Sequence, residues 1–412
     1  MQIFLAYVNF FLYLCSRKGV GNRMAMQIAH RINEIAASQS LVVAARARAM
    51  KASGIDVVSM SLGEPDMDTP VHIRRAAQEA IENHWSHYGP VPGVASLRAA
   101  VAAQQNGVAG NRIVWEAEDV MVSVGAKMAI YNAIMTAINP GDEVIIPQPS
   151  WVSYSEMVKL AGGKVVAIST RYEDEYLMTA EQLQKALTHK TRMLILCSPN
   201  NPTGSIYSRA QMQAIEAVLE AYPDVIILSD EIYACLTYDR TATSFSAFDT
   251  LADRLIIING VSKAYAMTGY RIGWLLTKNS TFLKACVRLQ GQQLTCATMV
   301  AQRAAEAALR GSQACVEVMR QIFEQRRERI CRLAHEIPGF KFHEPHGAFY
   351  LFVDVSAIGS GDEVAERLLE EAHVAVVPGS AFGCPECIRL SYAISEEEIE
   401  EAMRRIRVIG DW

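Results

Sequence analysis

The chain has no excess of positive charge. Its 39 Lys and Arg stand against 44 Asp and Glu, a net charge of −5. Without a basic surplus, general nucleic-acid binding is not expected. No repeat of fixed period and no low-complexity tract interrupts it. No apolar run reaches the roughly 20 residues of a spanning helix. The nearest approach, Ile3 to Cys15, is broken by Asn9 and followed by Arg17 and Lys18. A secretory signal carries its charge before the apolar run, so the order is wrong for one. Met24 and Met26 lie just downstream. The expectation is that translation starts at one of them and residues 1–23 are an upstream artefact, with a weak membrane anchor as the alternative. A disulfide framework is equally absent, because nine cysteines are an odd number at scattered positions. That usage suits reduced thiols and a cytoplasmic location. Cys384-Pro385-Glu386-Cys387 is the only Cys-x-x-Cys pair. A zinc site needs two further ligands, so the pair is read as ordinary thiols and no metal is expected.

What remains is an ordinary globular composition over 412 residues, 50% hydrophobic and 20% charged. At roughly 150 residues per domain, two or three domains are expected. From about residue 120, short apolar runs alternate with helix-like stretches. The runs are Val120–Ser123, Glu143–Ile146, Lys164–Ile168, Met193–Leu196, Val225–Leu228 and Leu255–Ile258. Helices are expected from Gly125 to Ala137 and from Trp151 to Leu160. Runs apolar on both faces suit buried strands, and alternation with helices predicts an α/β fold with a mostly parallel sheet. Residues 301–335 read as long helices, followed by strands near Phe349–Val353, Val374–Val377 and Ile388–Ser391. Ser395 with Glu396, Glu397 and Glu398 opens a last helix with a good cap and an acidic first turn. This end of the chain reads as a smaller α+β domain.

Ligands of open α/β sheets bind beyond the carboxyl ends of the strands. Three polar features follow strands directly. Asp230 ends one, Ser198 to Gly204 follows another, and Lys263 stands after Asn259-Gly260-Val261-Ser262. Each has a plain structural explanation: a helix cap, a Pro/Gly turn, and a solvated lysine.

Together they mean more. Gly260-Val261-Ser262-Lys263 followed by Gly269-Tyr270-Arg271-Ile272-Gly273 resembles the lysine-attachment signature of the class I/II aminotransferases of fold type I. Further matches fall in family order: Gly63-Glu64-Pro65-Asp66, Tyr88 with Gly93 and Leu97-Arg98, Gly125-Ala126-Lys127, Trp151 with Tyr154, Asn201-Pro202-Thr203-Gly204, Asp230 with Tyr233, and Arg389. The resemblance covers about residues 28–408 and is nearest to the bacterial aspartate aminotransferases. It implies pyridoxal 5'-phosphate as cofactor, a ping-pong exchange between an amino acid and a 2-oxo acid, and a seven-stranded large-domain sheet. It divides the chain into an atypical extension (1–27), a small domain (28–62 with 300–412) and a large cofactor domain (63–299). Lys263 is implied to carry the cofactor through its amine and then to move the substrate proton. Asp230 would pair with the pyridine nitrogen, Tyr233 and Asn201 would bond its phenolic oxygen, and Trp151 would stack on the ring. Arg271, Ser262 and the helix start at Gly125 and Ala126 would hold the phosphate. Tyr88 would reach the phosphate of a neighbouring subunit, which implies a homodimer with shared sites. One departure is Gly260, where some relatives carry a second phosphate-binding serine.

Arg389 resembles the arginine that grips the substrate α-carboxylate, with Gly63 adding a backbone donor. Lys127 stands where bacterial relatives bind a distal carboxylate, which favours aspartate with 2-oxoglutarate. Its alternative is a solvated lysine or a support for the phosphate end. Ser38 and Ser40 align with substrate-side residues, while Ala36 stands where relatives accepting prephenate have lysine. His346, in His346-Gly347-Ala348-Phe349-Tyr350, is read as a loop residue. Neutral or aromatic amino acids as substrates, or β-elimination at a C–S bond, remain the alternatives within the family. A cofactor-sensing regulator is the alternative outside it, and it is not expected, because residues 1–27 leave no room for the DNA-binding domain such a regulator carries.

Overall fold

The apolar runs of the middle of the chain pair with one another. In the computed structural model, which describes residues 26–409, the first strands are β1 (Val58–Ser59), β2 (Val120–Val124), β3 (Glu143–Gln148) and β4 (Lys164–Ser169). They continue as β5 (Thr191–Cys197), β6 (Ile226–Asp230), β7 (Leu255–Gly260) and β8 (Ile272–Leu276). Strands β2 to β8 form one seven-stranded sheet in the order β2-β8-β7-β6-β5-β3-β4. The expected α/β fold with a mostly parallel sheet is present, and only β8 runs antiparallel to its neighbours β2 and β7. The expectations on residues 1–25, including the apolar run and its downstream methionines, lie outside the described residues.

Both faces of this sheet are covered. Along β5, Met193 and Ile195 point into one apolar cluster while Leu194 and Leu196 point into a second. Leu228 and Ile227 divide the same way, as do Ile258 and Ile257. Side chains alternate between faces, so a strand buried on both sides has to be apolar at successive positions. That is why these runs read without alternation.

The C-terminal part carries its own strands: β9 (Tyr350–Asp354), β10 (Val374–Ala375), β11 (Val377–Pro378) and β12 (Cys387–Ser391). The single strand expected over Val374–Val377 is split. β10 pairs with β1 in a parallel two-stranded sheet, while β11 joins β12 and β9 in an antiparallel three-stranded one. The long helices are Met299–Arg310 and Ala314–His335. Met299–Arg310 packs on Val71–Glu82 and Ala95–Asn106 through its buried face of Ala301, Ala304, Ala305 and Ala308. The last helix, Glu396–Val408, begins as its sequence requires: the Ser395 hydroxyl accepts from Glu398 N, and the Glu398 carboxylate accepts from Ser395 N at 3.1 Å. Among the described residues no helix is long and apolar enough to cross a membrane.

Candidate active site

The strands deliver the candidate residues to one edge of the sheet. β6 ends on Asp230, β5 runs into Ser198–Gly204, and β7 leads to Ser262 and Lys263. β3 leads to Trp151, and β2 ends where the helix Gly125–Ala137 begins. At that edge lies a cavity of about 480 Å³. Its wall includes Gly63, Ala126, Lys127, Trp151, Asn201, Asp230, Tyr233, Ser262, Lys263, Arg271 and Arg389, together with Ser38 and Ser40. Two expected residues stand apart. Gly125 lies behind Arg271, where a Cβ would come within 2.5 Å of the Arg271 Nη2. Tyr88 is 88% exposed and lies on a separate recess with Trp85 and Met299.

Asp230 is 3% exposed. Its Oδ2 accepts from the Tyr154 hydroxyl at 2.7 Å and its Oδ1 from Ile232 N at 3.2 Å. Burial pushes its carboxyl up to about 6, against the pull of these two hydrogen bonds and the Lys263 charge. The Lys263 Nζ donates to the Gly63 carbonyl at 2.5 Å. Burial brings this amine down to about 8; Glu64 opposes the shift, while the Arg271 and Arg389 charges add to it. The Tyr233 hydroxyl lies 2.9 Å from that of Tyr350, and burial raises the Tyr233 phenol well above its ordinary range.

Arg389 sits on β12, 2% exposed. Its Nη1 donates to Asn201 Oδ1 at 3.0 Å and its Nη2 to the Ser61 carbonyl at 2.7 Å. The guanidinium stacks between Tyr350, 4.4 Å away, and Phe382, 5.0 Å away. Its Nε is buried and has no partner. The Lys127 Nζ lies 4.7 Å from the centre of the Trp151 ring. Desolvation against the crowded wall lowers this amine, and the Arg271 charge lowers it further.

Backbone packing explains the odd Gly260. It pairs with Gly273 across β7 and β8, and a Cβ on Gly260 would lie 2.9 Å from both Gly273 Cα and the Ile272 carbonyl. A Cβ on Gly273 would in turn lie 2.2 Å from Ala126 N. The two glycines therefore let the start of the helix Gly125–Ala137 settle against the sheet, with Gly125 at φ +79°. A serine has no room at position 260.

Tyr154 and Tyr350 touch the candidate residues Asp230 and Tyr233, contacts that residue patterns left unassigned. Tyr154 stood in a motif beside Trp151, and Tyr350 closed the Gly347-Ala348-Phe349-Tyr350 run, so both were visible but unassigned. His346 is outside the cavity: its Nδ1 lies 2.9 Å from Asp239 Oδ1. Cys384 and Cys387 are both buried, with their sulfurs 3.4 Å apart. With Glu386 they bring three ligand atoms within 4.8 Å of one another, one fewer than a closed zinc site takes.

The model of the family "Aminotransferase class I and II" matches residues 55–406. The chain belongs to this family. The aminotransferase is 40% identical over 395 residues to the aspartate/prephenate aminotransferase of Nitrosomonas europaea, covering 92% of this chain and 99% of that one. It is 42% identical over 388 residues to the aspartate aminotransferase of Bacillus sp. YM-2, covering 92% and 98%. Among solved structures, the aspartate aminotransferase of Rhizobium meliloti superposes with a TM-score of 0.90 at 38% identity, over 94% of this chain and 99% of that one. The Thermus thermophilus aspartate aminotransferase with maleate gives 0.89 at 35% identity, over 93% and 100%. The enzyme is thus a pyridoxal-phosphate-dependent aminotransferase of fold type I.

The cavity of the aminotransferase fits that cofactor. A buried carboxylate, an amine with a lowered pKa, and a guanidinium and hydroxyl beside a helix start form the matching donor and acceptor set. The unpartnered Nε of Arg389 is a buried donor, and such groups call for an acceptor that the chain alone does not supply.

Proposed function

We propose that the enzyme transfers the amino group of L-aspartate to 2-oxoglutarate in two half-reactions at this cavity. The observation that carries the reading is the pairing of two cations in one cavity. Arg389 is buried and held by Asn201, Ser61 and two aromatic rings, while Lys127 lines the same cavity over the Trp151 ring with no acidic partner among the described residues. Two cations in one cavity suit the two carboxylates of a dicarboxylic amino acid. Arg389 takes the α-carboxylate with its remaining N–H groups, aided by the Gly63 amide, and Lys127 takes the distal one.

Bound pyridoxal phosphate supplies an aldehyde that accepts the amino group and a ring that withdraws electrons from the reacting carbon. The chain does the rest. Lys263 holds the cofactor and then uses its free Nζ to take the proton from the substrate α-carbon; an amine titrating at about 8 is available for this near neutral pH. Asp230, held by Tyr154, would keep a proton on the ring nitrogen. Asn201 and Tyr233 would donate to the ring oxygen, Trp151 would cover the ring, and Ser262, Arg271, Gly125 and Ala126 would bind the phosphate.

The proposal extends to assembly and location. Tyr88 is far too exposed for a buried-core role and suits a contact with the phosphate of a second subunit in a cytoplasmic homodimer. A two-body division, 63–299 against 28–62 with 300–412, is supported by the separate three-stranded sheet of β11, β12 and β9. The packing of Met299–Arg310 on Val71–Glu82 and Ala95–Asn106 favours placing that helix with the first body.

Holoenzyme mixed with aspartate and no 2-oxo acid is expected to lose its visible cofactor absorbance while releasing one oxaloacetate per site. Conversion by neutral amino acids but not by aspartate or glutamate would reject the dicarboxylate assignment. Pyruvate release from a cysteine conjugate would point to β-elimination.

A further inference from the structure

The two thiols of Cys384-Pro385-Glu386-Cys387 have no part in the scheme above, yet their turn borders the seat of Arg389. Cys384 is 6% exposed and Cys387 0%. Their sulfurs are 3.4 Å apart, and Cys387 N donates to the Cys384 carbonyl at 3.1 Å. That hydrogen bond closes a β-turn, whose ends stand less than about 7 Å apart at Cα. A disulfide spans Cα separations of about 4.4–6.8 Å. The turn is thus already folded to the length such a bond needs.

Both ends of the turn lead to Arg389. Cys387 opens β12, and Arg389 follows two residues on, opposite Phe352 of β9. Phe382, two residues before Cys384, covers the Arg389 guanidinium at 5.0 Å. Cys384, Cys387, Phe382, Phe352, Tyr176 and Val377 form one small apolar cluster, in which the Tyr176 hydroxyl lies 3.5 Å from the Cys387 sulfur. The backbone behind the sulfurs has no slack. Cys384 N donates to the Gly379 carbonyl at 3.0 Å and Gly361 N to the Pro385 carbonyl at 2.8 Å. A Cβ on Gly379 or on Gly361 would collide with the Cys387 carbonyl. Interiors packed this closely pass displacement on. Drawing the sulfurs from 3.4 Å to a bonded distance of about 2.05 Å therefore shifts the packing under Phe382, not the backbone behind it.

A metal ion suits this place less well. It would need two thiolate charges inside the apolar cluster, whereas a disulfide is neutral. We propose that Cys384 and Cys387 are a reversible oxidation site, where a small-molecule disulfide converts them to an intraloop disulfide that loosens the grip of Arg389 on substrate. The effect on substrate rests on the proposed use of Arg389 for the α-carboxylate. Cys384 reacts first, being the less buried of the two, with its sulfur 3.2 Å from Oε1 of the exposed Glu386. Its thiol gives up a proton and attacks one sulfur of the small disulfide; a mixed S–S bond forms, and one small thiolate leaves and takes up the proton. The Cys387 thiol then gives up its proton and attacks the Cys384 sulfur, and the second small thiolate leaves with that proton. Two protein thiols are oxidised, and one small disulfide is reduced to two thiols. In a reducing compartment such a bond is transient.

In the test, folded holoenzyme is incubated with oxidised glutathione, alkylated without reduction, digested and weighed by mass spectrometry. The peptide holding residues 384–387 is expected to be two hydrogens lighter and free of alkylation, and to regain two alkylated thiols after dithiothreitol. In the oxidised enzyme KM for aspartate is expected to rise on the order of three- to tenfold, with kcat changed by less than about twofold, and to recover on reduction. In Cys384→Ser and Cys387→Ser the bond cannot form, so KM is expected to stay unchanged under the same treatment; the second variant serves where the first fails to fold. A peptide recovered with both thiols alkylated, or carrying glutathione without the internal bond, overturns the inference. So does a bond that forms while KM stays put, or a KM that shifts equally in both variants. One zinc ion bound per chain and lost in Cys387→Ser, in a titration against a chelator, would assign the pair to a metal and overturn it as well. If aspartate is not turned over, the substrate assignment falls, and the KM of the amino acid that does convert the cofactor decides the oxidation site.

Discussion

Asp230 is a site residue whose cost to the fold can be worked out. In the cofactor-free protein its ordinary value of 3.8 is raised to about 6 by burial. Each pH unit between those values corresponds to about 1.4 kcal/mol. The ionised form therefore destabilises the cofactor-free fold by on the order of 3 kcal/mol. The sign follows from proton uptake. The folded chain binds this proton at higher pH than the unfolded chain does, so stability falls as pH rises from about 4 to about 6. The cost is complete above that window and absent below it. Asp230→Asn removes the charge and keeps one oxygen for Ile232 N, while its amide nitrogen takes the place of the oxygen that faces Tyr154, whose hydroxyl can turn to accept. Some polar desolvation remains and the attraction to Lys263 is lost, so the expected gain at pH 8 is about 1–3 kcal/mol. Urea unfolding of the two cofactor-free proteins, followed by tryptophan fluorescence at pH 8 and pH 4, measures it. The variant should be the more stable at pH 8 and level with wild type at pH 4. Saturating cofactor should reverse the order at pH 8, because the wild-type carboxylate then has a cationic partner. A variant less stable than wild type at pH 8 without cofactor, or an equal gap at both pH values, would refute desolvation as the origin.

Two further outcomes follow from the same geometry. Arg389→Lys replaces a fork held by Asn201, Ser61 and two aromatic rings with a single ammonium, so KM for aspartate should rise on the order of 10- to 100-fold; a change below threefold in steady-state kinetics would remove Arg389 from the carboxylate site. Gly260→Ser would set a Cβ 2.9 Å from Gly273 Cα and should lower stability by about 1–3 kcal/mol, seen as a reduced Tm, with no tighter phosphate binding in a cofactor titration.

Much of this site was legible before any fold was built. A strand buried on both faces has to be continuously apolar, so β5, β6 and β7 announced themselves, and the polar residues just past them were the ones to inspect. The capping pair Ser395 and Glu398 is written in adjacent residues and needed no tertiary context. The gap between Val374–Ala375 and Val377–Pro378 was not legible. Val374, Ala375, Val376 and Val377 are all buried, and an unbroken apolar run carries no mark of where the chain leaves one sheet for another. The antiparallel course of β8 was hidden for the same reason, since hydrophobicity has no direction along the chain.

The sequence by itself determined the fold class through local period, and the cofactor through motifs, each held within a few residues, that resemble those of the class I/II aminotransferases. Tertiary structure alone decided which groups share hydrogen bonds. Tyr154 meets Asp230, the Lys263 amine meets the Gly63 carbonyl, and Arg389 meets Asn201 and Ser61. It also decided that Gly260 is demanded by Gly273. These outcomes depend on distances between atoms far apart in the chain, and only the packing of the sheets and helices sets those distances.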